Sequence, residues 1–294
     1  MNAPPVGGRP PTPPAQRYGF IGLGQMGAPM AQHLAARGLV VHDTRPEAMD
    51  PLVKAGARAA RTVSDVARSA DIISVMVRDD DQVNEVGAEI LASARPGTVL
   101  AIHSTIRART AEELARRGEP YGIEVVDAPV SGGFMGATAG TLAVMVGGSA
   151  AAFDRCREPF GAWADLVLHM GPVGAGTRTK LARNLLHFVA FTAAAEAQRL
   201  AEASGVSLRR LARVVRHSDA VTGGPGSIML RPTTAPLRPD DDLYAMLRNV
   251  RALGEKDLAL AVELASELDV DVPLARYALE HFGPALGLEG DRDG

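Results

Sequence analysis

Cysteine is nearly absent: Cys156 is the only one in 294 residues. That excludes an intrachain disulfide framework and fits a reducing compartment. Aromatic residues make up 4% of the chain, too few for the stacking platforms that hold single-stranded nucleic acid. The formal net charge is −3 and no Lys/Arg block stands out, so the electrostatic signature of a nucleic-acid binder is missing. No uninterrupted apolar run approaches the length of a membrane span. The seven histidines are scattered and the cysteine has no second thiol near it, so no metal site is expected. What remains is soluble globular composition, 46% hydrophobic and 22% charged, in a length suited to one large domain or two ordinary ones. Residues 1–17 are rich in proline and glycine and lack the apolar core of a signal peptide. They read as a disordered leader, and the chain is expected in the cytoplasm.

The first half alternates strand and helix. A short strand pattern at 18–22 runs into Leu23-Gly24-Gln25-Met26-Gly27, so Gly22, Gly24 and Gly27 satisfy G-x-G-x-x-G. Helical spacing follows over 28–37, then an apolar strand at 39–43 that ends in Asp43. In this context the glycines serve three different ends, namely a tight turn, close approach of the backbone to a pyrophosphate, and close helix–strand packing. Asp43 stands where a ribose-binding carboxylate belongs, which favours NAD over NADP. Arg45 leaves the alternative open, because it can stack on adenine, meet a 2′-phosphate, or simply lie at the surface beside Pro46. Strand patterns recur at 71–77, 98–103, 123–127, 141–146 and 166–170, with helical patterns at 64–69, 81–91, 108–118 and 149–160. Repeated βα units of this kind predict a doubly wound sheet with its ligand at the carboxyl ends of the strands. At those ends lie Asp80 and Asp81, read as a helix cap; His103-Ser104-Thr105, whose hydroxyls either touch a ligand or cap; and Ser131-Gly132-Gly133, either a carboxylate cradle or a plain turn.

A Gly-rich turn (Gly171, Gly174, Gly176) then opens a helix predicted over 177–204. Its middle is apolar almost all round (Leu181, Leu185, Leu186, Phe188, Val189, Phe191), so it is expected to be buried on every side. Its first turns carry Lys180, Arg183 and Asn184, with Lys180 and Asn184 on one face. A helix at 207–217 is expected to end in a polar, Gly-rich loop at 217–226 bordering the cleft. His217 and Asp219 lie two residues apart without a nucleophile, which argues against a catalytic pair. Helical patterns follow at 240–268 and 273–286, and no strand pattern appears after residue 170, so the second half is read as all-α.

Four segments stand in fixed order: GFIGLGQMGAPMA at 19–31, DAPVSGG at 127–133, GAGTRTKLARN at 174–184 and KDLALA at 256–261. Together they resemble the β-hydroxyacid dehydrogenase family, to which 3-hydroxyisobutyrate dehydrogenase belongs, over essentially everything after the leader. The resemblance implies a Rossmann-type NAD(P)-binding domain at 18–176. An all-α substrate and oligomerisation domain at 177–294 would begin with the long interdomain helix. It implies cofactor contacts from Gly22, Leu23, Gly24, Gln25, Met26, Gly27, Asp43, Thr44, Arg45, Met76, Val77, Thr105 and Lys256. Ser131, Gly132, Gly133 and Asn184 would hold a small carboxylate substrate, with Lys180 as the catalytic acid/base. Hydride would pass between NAD and a small β-hydroxy acid of the 3-hydroxyisobutyrate type, with NADP left open as cofactor. A homodimer or homotetramer is implied, with no nucleic-acid, membrane or metal partner. Two other activities share the architecture: an imine reductase, which usually lacks the lysine, and a non-catalytic cofactor-binding protein, which generally lacks it too. The chain departs from the common pattern at Arg183, where many members have asparagine, at Met76-Val77-Arg78, and across 231–254.

Overall fold

The computed structural model describes residues 16–288; all but the last two residues of the expected leader lie outside them. The chain divides into one unit through Arg183 and another from Asn184. The first holds strands β1 (Tyr18–Ile21), β2 (Val40–His42), β3 (Arg58–Ala59), β4 (Ile72–Val75), β5 (Val99–Ile102), β6 (Glu124–Asp127), β7 (Val130–Ser131), β8 (Leu142–Gly147) and β9 (Ala164–Gly171). Helices α1 (Gly27–Gln32), α2 (Asp50–Lys54), α3 (Val63–Ser69), α4 (Asp80–Ser93), α5 (Ala108–Gly118), α6 (Gly133–Ala139) and α7 (Ala150–Phe160) are interleaved with them. The strand order is β3-β2-β1-β4-β5-β6-β8-β7, with β9 also paired to β8. From β3 to β6 every pairing is parallel, β8 runs antiparallel to both β6 and β7, and β9 is parallel to β8.

The parallel strands read as near-continuous apolar runs because both of their faces are covered. Successive side chains alternate between the faces, so in β1 Phe20 joins one core with Met30, Leu34, Phe160 and Trp163. Its neighbour Ile21 joins the other core with Ile73, Ile90, Leu100 and Leu114. Each such fully buried side chain contributes on the order of 1.5–3 kcal/mol. The chain leaves β1 toward β2 on one side and returns to β4 on the other, and a doubly wound sheet opens its ligand crevice where the order reverses.

Several local expectations change. The helix expected at 28–37 stops at Gln32, and a 3₁₀ turn at Ala35–Arg37 carries the chain to Gly38, whose φ of 75° ends it. The cap of α4 is neither Asp80 nor Asp81 but Asp79, whose Oδ1 accepts from the Gln82 amide at 3.0 Å. Asp80 instead accepts from the Arg107 amide at 3.0 Å and from the Thr110 hydroxyl, which ties α4 to α5. The two-residue strands β3 and β7 have no pattern of their own to reveal them.

The long helix α8 (Ala175–Ala203) runs without a break from the first unit into the second. It is followed by α9 (Leu208–Thr222), α10 (Tyr244–Glu267) and α11 (Pro273–Ala285). Because α9 continues to Thr222, His217 and Asp219 lie on a helix and not in the loop expected there. In the second unit Leu247, Phe282, Leu286 and Leu288 pack α10 and α11 together. Glu196, buried on α8, caps α11 by accepting from the amides of Leu274 (2.8 Å) and Ala275 (3.0 Å). The middle of α8 is not buried on every side: Leu185, Phe188, Val189 and Phe191 are 48–70% exposed. An all-round apolar helix calls for packing partners, and among the described residues none covers that side.

Candidate active site

The turn after β1 is built on glycines for three different reasons. Gly22 sits at φ 91°, and a Cβ there would lie 2.2 Å from the Met76 carbonyl oxygen. At Gly27 a Cβ would lie 2.0 Å from the Gly22 carbonyl oxygen. Neither position has room for a side chain. Around Gly24, by contrast, a Cβ would meet nothing within 4 Å. That glycine leaves space above the loop, and among the described residues the amides of Gly24, Gln25 and Met26 make no hydrogen bond. Open backbone donors beside a vacant surface suit the pyrophosphate of a dinucleotide. Gly24 and Gln25 are exposed, whereas Leu23 is buried.

Asp43, just past β2, pins this loop. One oxygen accepts from the Leu23 amide at 2.7 Å; the other accepts from the Arg45 amide at 2.9 Å and its Nε at 3.3 Å. Burial pushes the Asp43 carboxyl up, but the bonds from Arg45 and Leu23 outweigh it and leave the carboxyl below its ordinary value. Thr44 and Arg45 are exposed beside it. Beyond β4, Met76 packs under Gly22, and Val77 exchanges two bonds with Ser104: its amide donates to Oγ at 2.9 Å and its carbonyl accepts from it at 2.8 Å. The glycine loop, Met76-Val77 and the exposed Thr105 are therefore held at adjoining strand ends. His103, one residue before Ser104, turns the other way. It is fully buried, with Nδ1 2.7 Å from the Ala128 carbonyl oxygen and Nε2 3.0 Å from Ser74 Oγ. It is a core residue and not a ligand contact.

At the next strand end Asp127 is wholly buried. Its Oδ1 accepts from the Gly174 amide at 2.7 Å and its Oδ2 from the Thr177 amide at 2.6 Å. The Thr177 hydroxyl is near enough to be felt by this carboxylate but lies outside hydrogen-bonding geometry. Burial pushes the Asp127 carboxyl up, against the pull of the two amides. Four residues on, Ser131 ends β7, followed by Gly132 (φ 132°) and Gly133 (φ 64°). A Cβ at Gly133 would meet nothing within 4 Å, so its face is open.

Lys180 lies one turn into α8 and is 9% exposed. Among the described residues it makes neither a hydrogen bond nor an ion pair. Desolvation, and after it the positive charge of Arg183, holds its ammonium below the ordinary lysine value. Asn184 follows one turn later on the same helix. Lys256 lies on α10 in the second unit, exposed and paired with Asp257 at 2.7 Å. Among the described residues no group of histidine, cysteine and acidic side chains is arranged to hold a metal, and no helix is long and apolar enough to cross a membrane. Sequence reasoning passed over Asp127 as the start of a motif; its partners lie 47 and 50 residues away, and no local pattern signals such a pairing.

Known proteins match this chain along nearly its whole length. The NAD-binding domain of 6-phosphogluconate dehydrogenase matches residues 17–171, and the NAD-binding domain of NADP-dependent 3-hydroxyisobutyrate dehydrogenase matches residues 174–293. An uncharacterized oxidoreductase of Mycobacterium tuberculosis is 55% identical over 94% of this chain and 95% of its own. The NAD-dependent L-serine dehydrogenase of Pseudomonas aeruginosa is 37% identical over 91% of each. Among solved structures, an oxidoreductase from Mycobacterium avium superposes with a TM-score of 0.90 at 51% identity, covering 94% of this chain and 100% of that one. An imine reductase from Myxococcus stipitatus gives 0.73 at 22% identity, covering 93% and 94%, a likeness of fold alone. With both of its halves matched in order and relatives of this identity along nearly its whole length, the chain is an oxidoreductase that belongs to the β-hydroxyacid dehydrogenase family.

Proposed function

We propose that the protein oxidises a small β-hydroxy acid of the 3-hydroxyisobutyrate or serine type to its semialdehyde, or catalyses the reverse reduction, with Lys180 as acid/base. The observation that carries this reading is Lys180 itself: a buried, unpaired ammonium whose proton is loosened by desolvation and by Arg183. A solvated lysine holds its proton too firmly to act as a base near neutral pH, and both effects move it toward the working range. In oxidation Nζ takes the hydroxyl proton; in reduction the same ammonium returns it and stabilises the developing alkoxide. The nicotinamide, when bound, supplies the hydride acceptor or donor. Ser131 and the open backbone of Gly132 and Gly133 hold the substrate carboxylate, and Asn184 orients the substrate from the helix turn after Lys180. The cofactor lies on the Gly22–Gly27 loop, with Met76, Val77, Thr105 and Lys256 as further contacts. Asp43 favours NAD, because its carboxylate accepts from a ribose 2′-OH and repels a 2′-phosphate.

We also infer a homo-oligomer in which a second copy covers the exposed apolar side of α8. Cys156 is buried with its thiol pushed up to about 12 by burial, and as the sole cysteine it favours a cytoplasmic location. The test is cofactor reduction with 3-hydroxyisobutyrate, glycerate and L-serine, using NAD and NADP in parallel, for the wild type and Lys180→Ala. The expected result is turnover with NAD preferred, a fall of about 10²–10⁴-fold in kcat for the variant, and unchanged NAD affinity. Turnover of Lys180→Ala within a few-fold of wild type would overturn the acid/base role. Reduction of a cyclic imine with no turnover of any hydroxy acid would replace the whole reading by an imine reductase.

A further inference from the structure

Helix α8 has an unusual start. The residue before its first turn is Gly174, which has no side chain with which to cap the helix. The amides that a cap would satisfy are bound instead by Asp127, from the end of β6, one carboxylate oxygen on Gly174 and the other on Thr177. The surroundings admit no slack. A Cβ at Gly147 would lie 2.3 Å from Asp127 Oδ1, and one at Gly176 would lie 2.2 Å from the Met145 carbonyl oxygen and 2.4 Å from that of Asp127. Strands β6 and β8 and the first turn of α8 are thus in backbone contact, and the carboxylate closes the joint. Lys180 stands three residues after Thr177, on the next turn of the same helix. Ser131 stands four residues after Asp127 in the segment leaving β6.

We infer that Asp127 is a positioning residue for the reaction: its carboxylate fixes the height and rotation of the first turn of α8 and so sets Lys180 against the segment that carries Ser131. This rests on the reading of Lys180 as acid/base. Two bonds to separate oxygens fix both a translation and a rotation, which one bond would not. Asparagine at this position keeps the shape but offers only one good acceptor, so its NH₂ group is turned against an amide donor. The turn then shifts to relieve that opposition, and a displacement of about 1 Å in a catalytic group is enough to cost about 10²-fold in rate.

The test is a double-mutant cycle on the full-length protein with Asp127→Asn, Lys180→Ala and the pair, measuring kcat, KM for each substrate and the pH profile of kcat. Asp127→Asn alone is expected to lower kcat for oxidation about 10–100-fold, to leave KM for NAD within about twofold, and to move the limb at which the rate rises with loss of the Lys180 proton toward the higher pH of an ordinary lysine. In the Lys180→Ala background the same substitution is expected to cost less than about twofold, because there is no longer an acid/base to misplace. A full additional loss in that background, or a lowered Tm with kcat and pH profile unchanged, would overturn the inference and leave Asp127 a purely structural cap. Wild-type turnover of Lys180→Ala by itself would instead remove the acid/base reading, and this inference with it. If asparagine leaves too little folded protein, Asp127→Ser keeps one acceptor without setting a donor against Thr177 and enters the same cycle.

Discussion

Lowering the pH should destabilise the first unit through a single imidazole. His103 is fully buried among Phe20, Phe160 and Trp163, with ring centroids at 6.2, 5.0 and 5.7 Å. Burial pulls its pKa down from 6.5 to about 4, only partly opposed by the bond to the Ala128 carbonyl. The sign follows from linkage. In the unfolded chain the ring takes a proton below about pH 6.5, whereas in the folded chain it stays neutral down to about pH 4. Its contribution is therefore complete above about pH 6.5 and is lost as the pH falls through that window. Integrated from neutral pH to about pH 5, the loss is about 2 kcal/mol. The assay is urea unfolding at about pH 7.5 and about pH 5, followed by the fluorescence of Trp163. It is the only tryptophan in the chain and stands edge-on to the ring in question, so the signal reports this core. Other groups titrate as well, so the quantity to compare is the pH-dependent loss in wild type against His103→Gln. The variant is expected to be less stable at neutral pH but to lose about 2 kcal/mol less on acidification. Equal losses in the two proteins would refute the argument, because the proton uptake would then belong elsewhere.

Two other predictions can be read in cofactor binding and in the pH profile. Gly27→Ala places a methyl 2.0 Å from the Gly22 carbonyl oxygen, so the loop must move, and NAD affinity measured by calorimetry should fall by about tenfold or more; an unchanged affinity would mean that the loop yields freely. Arg183→Asn removes the positive charge that helps to lower the Lys180 pKa. For oxidation, the limb at which kcat rises as Lys180 loses its proton should therefore move to higher pH and the neutral-pH rate should drop several-fold, whereas a limb that stayed in place would leave desolvation as the only influence on Lys180.

What could be read from the sequence was whatever is written locally. The strand–glycine–helix–strand–acid run announced β1, α1, β2 and Asp43 because each requirement there is met within a few residues of its cause. The continuous apolar pattern of β4 announced a strand covered on both faces. Where a partner is distant, the pattern was silent or misleading. Among three consecutive acids the cap was expected at Asp80 or Asp81, but Asp80 is taken up by Arg107 and Thr110 and the cap falls to Asp79. His103 stood at a strand end beside two candidate contact hydroxyls, with nothing local to mark it as core, because its aromatic neighbours come from residues 20, 160 and 163. The apolar middle of α8 promised burial, and hydrophobicity alone does not say whether the covering surface belongs to the same chain.

The cap on α8 also decides where this protein can be cut. A fragment ending at Gly171, the last residue of β9, would contain every strand of the sheet and would look self-sufficient by secondary structure. It would nevertheless leave the Asp127 carboxylate buried without Gly174 and Thr177, at a cost on the order of 1–3 kcal/mol or more for a charged group. A fragment carried on to Arg183 keeps both amides. The nucleotide-binding half is thus complete only with the opening turns of a helix that most of its sequence assigns to the other half. Anyone exchanging the helical region between relatives would do well to place the junction after those turns, so that strand and helix start are inherited together.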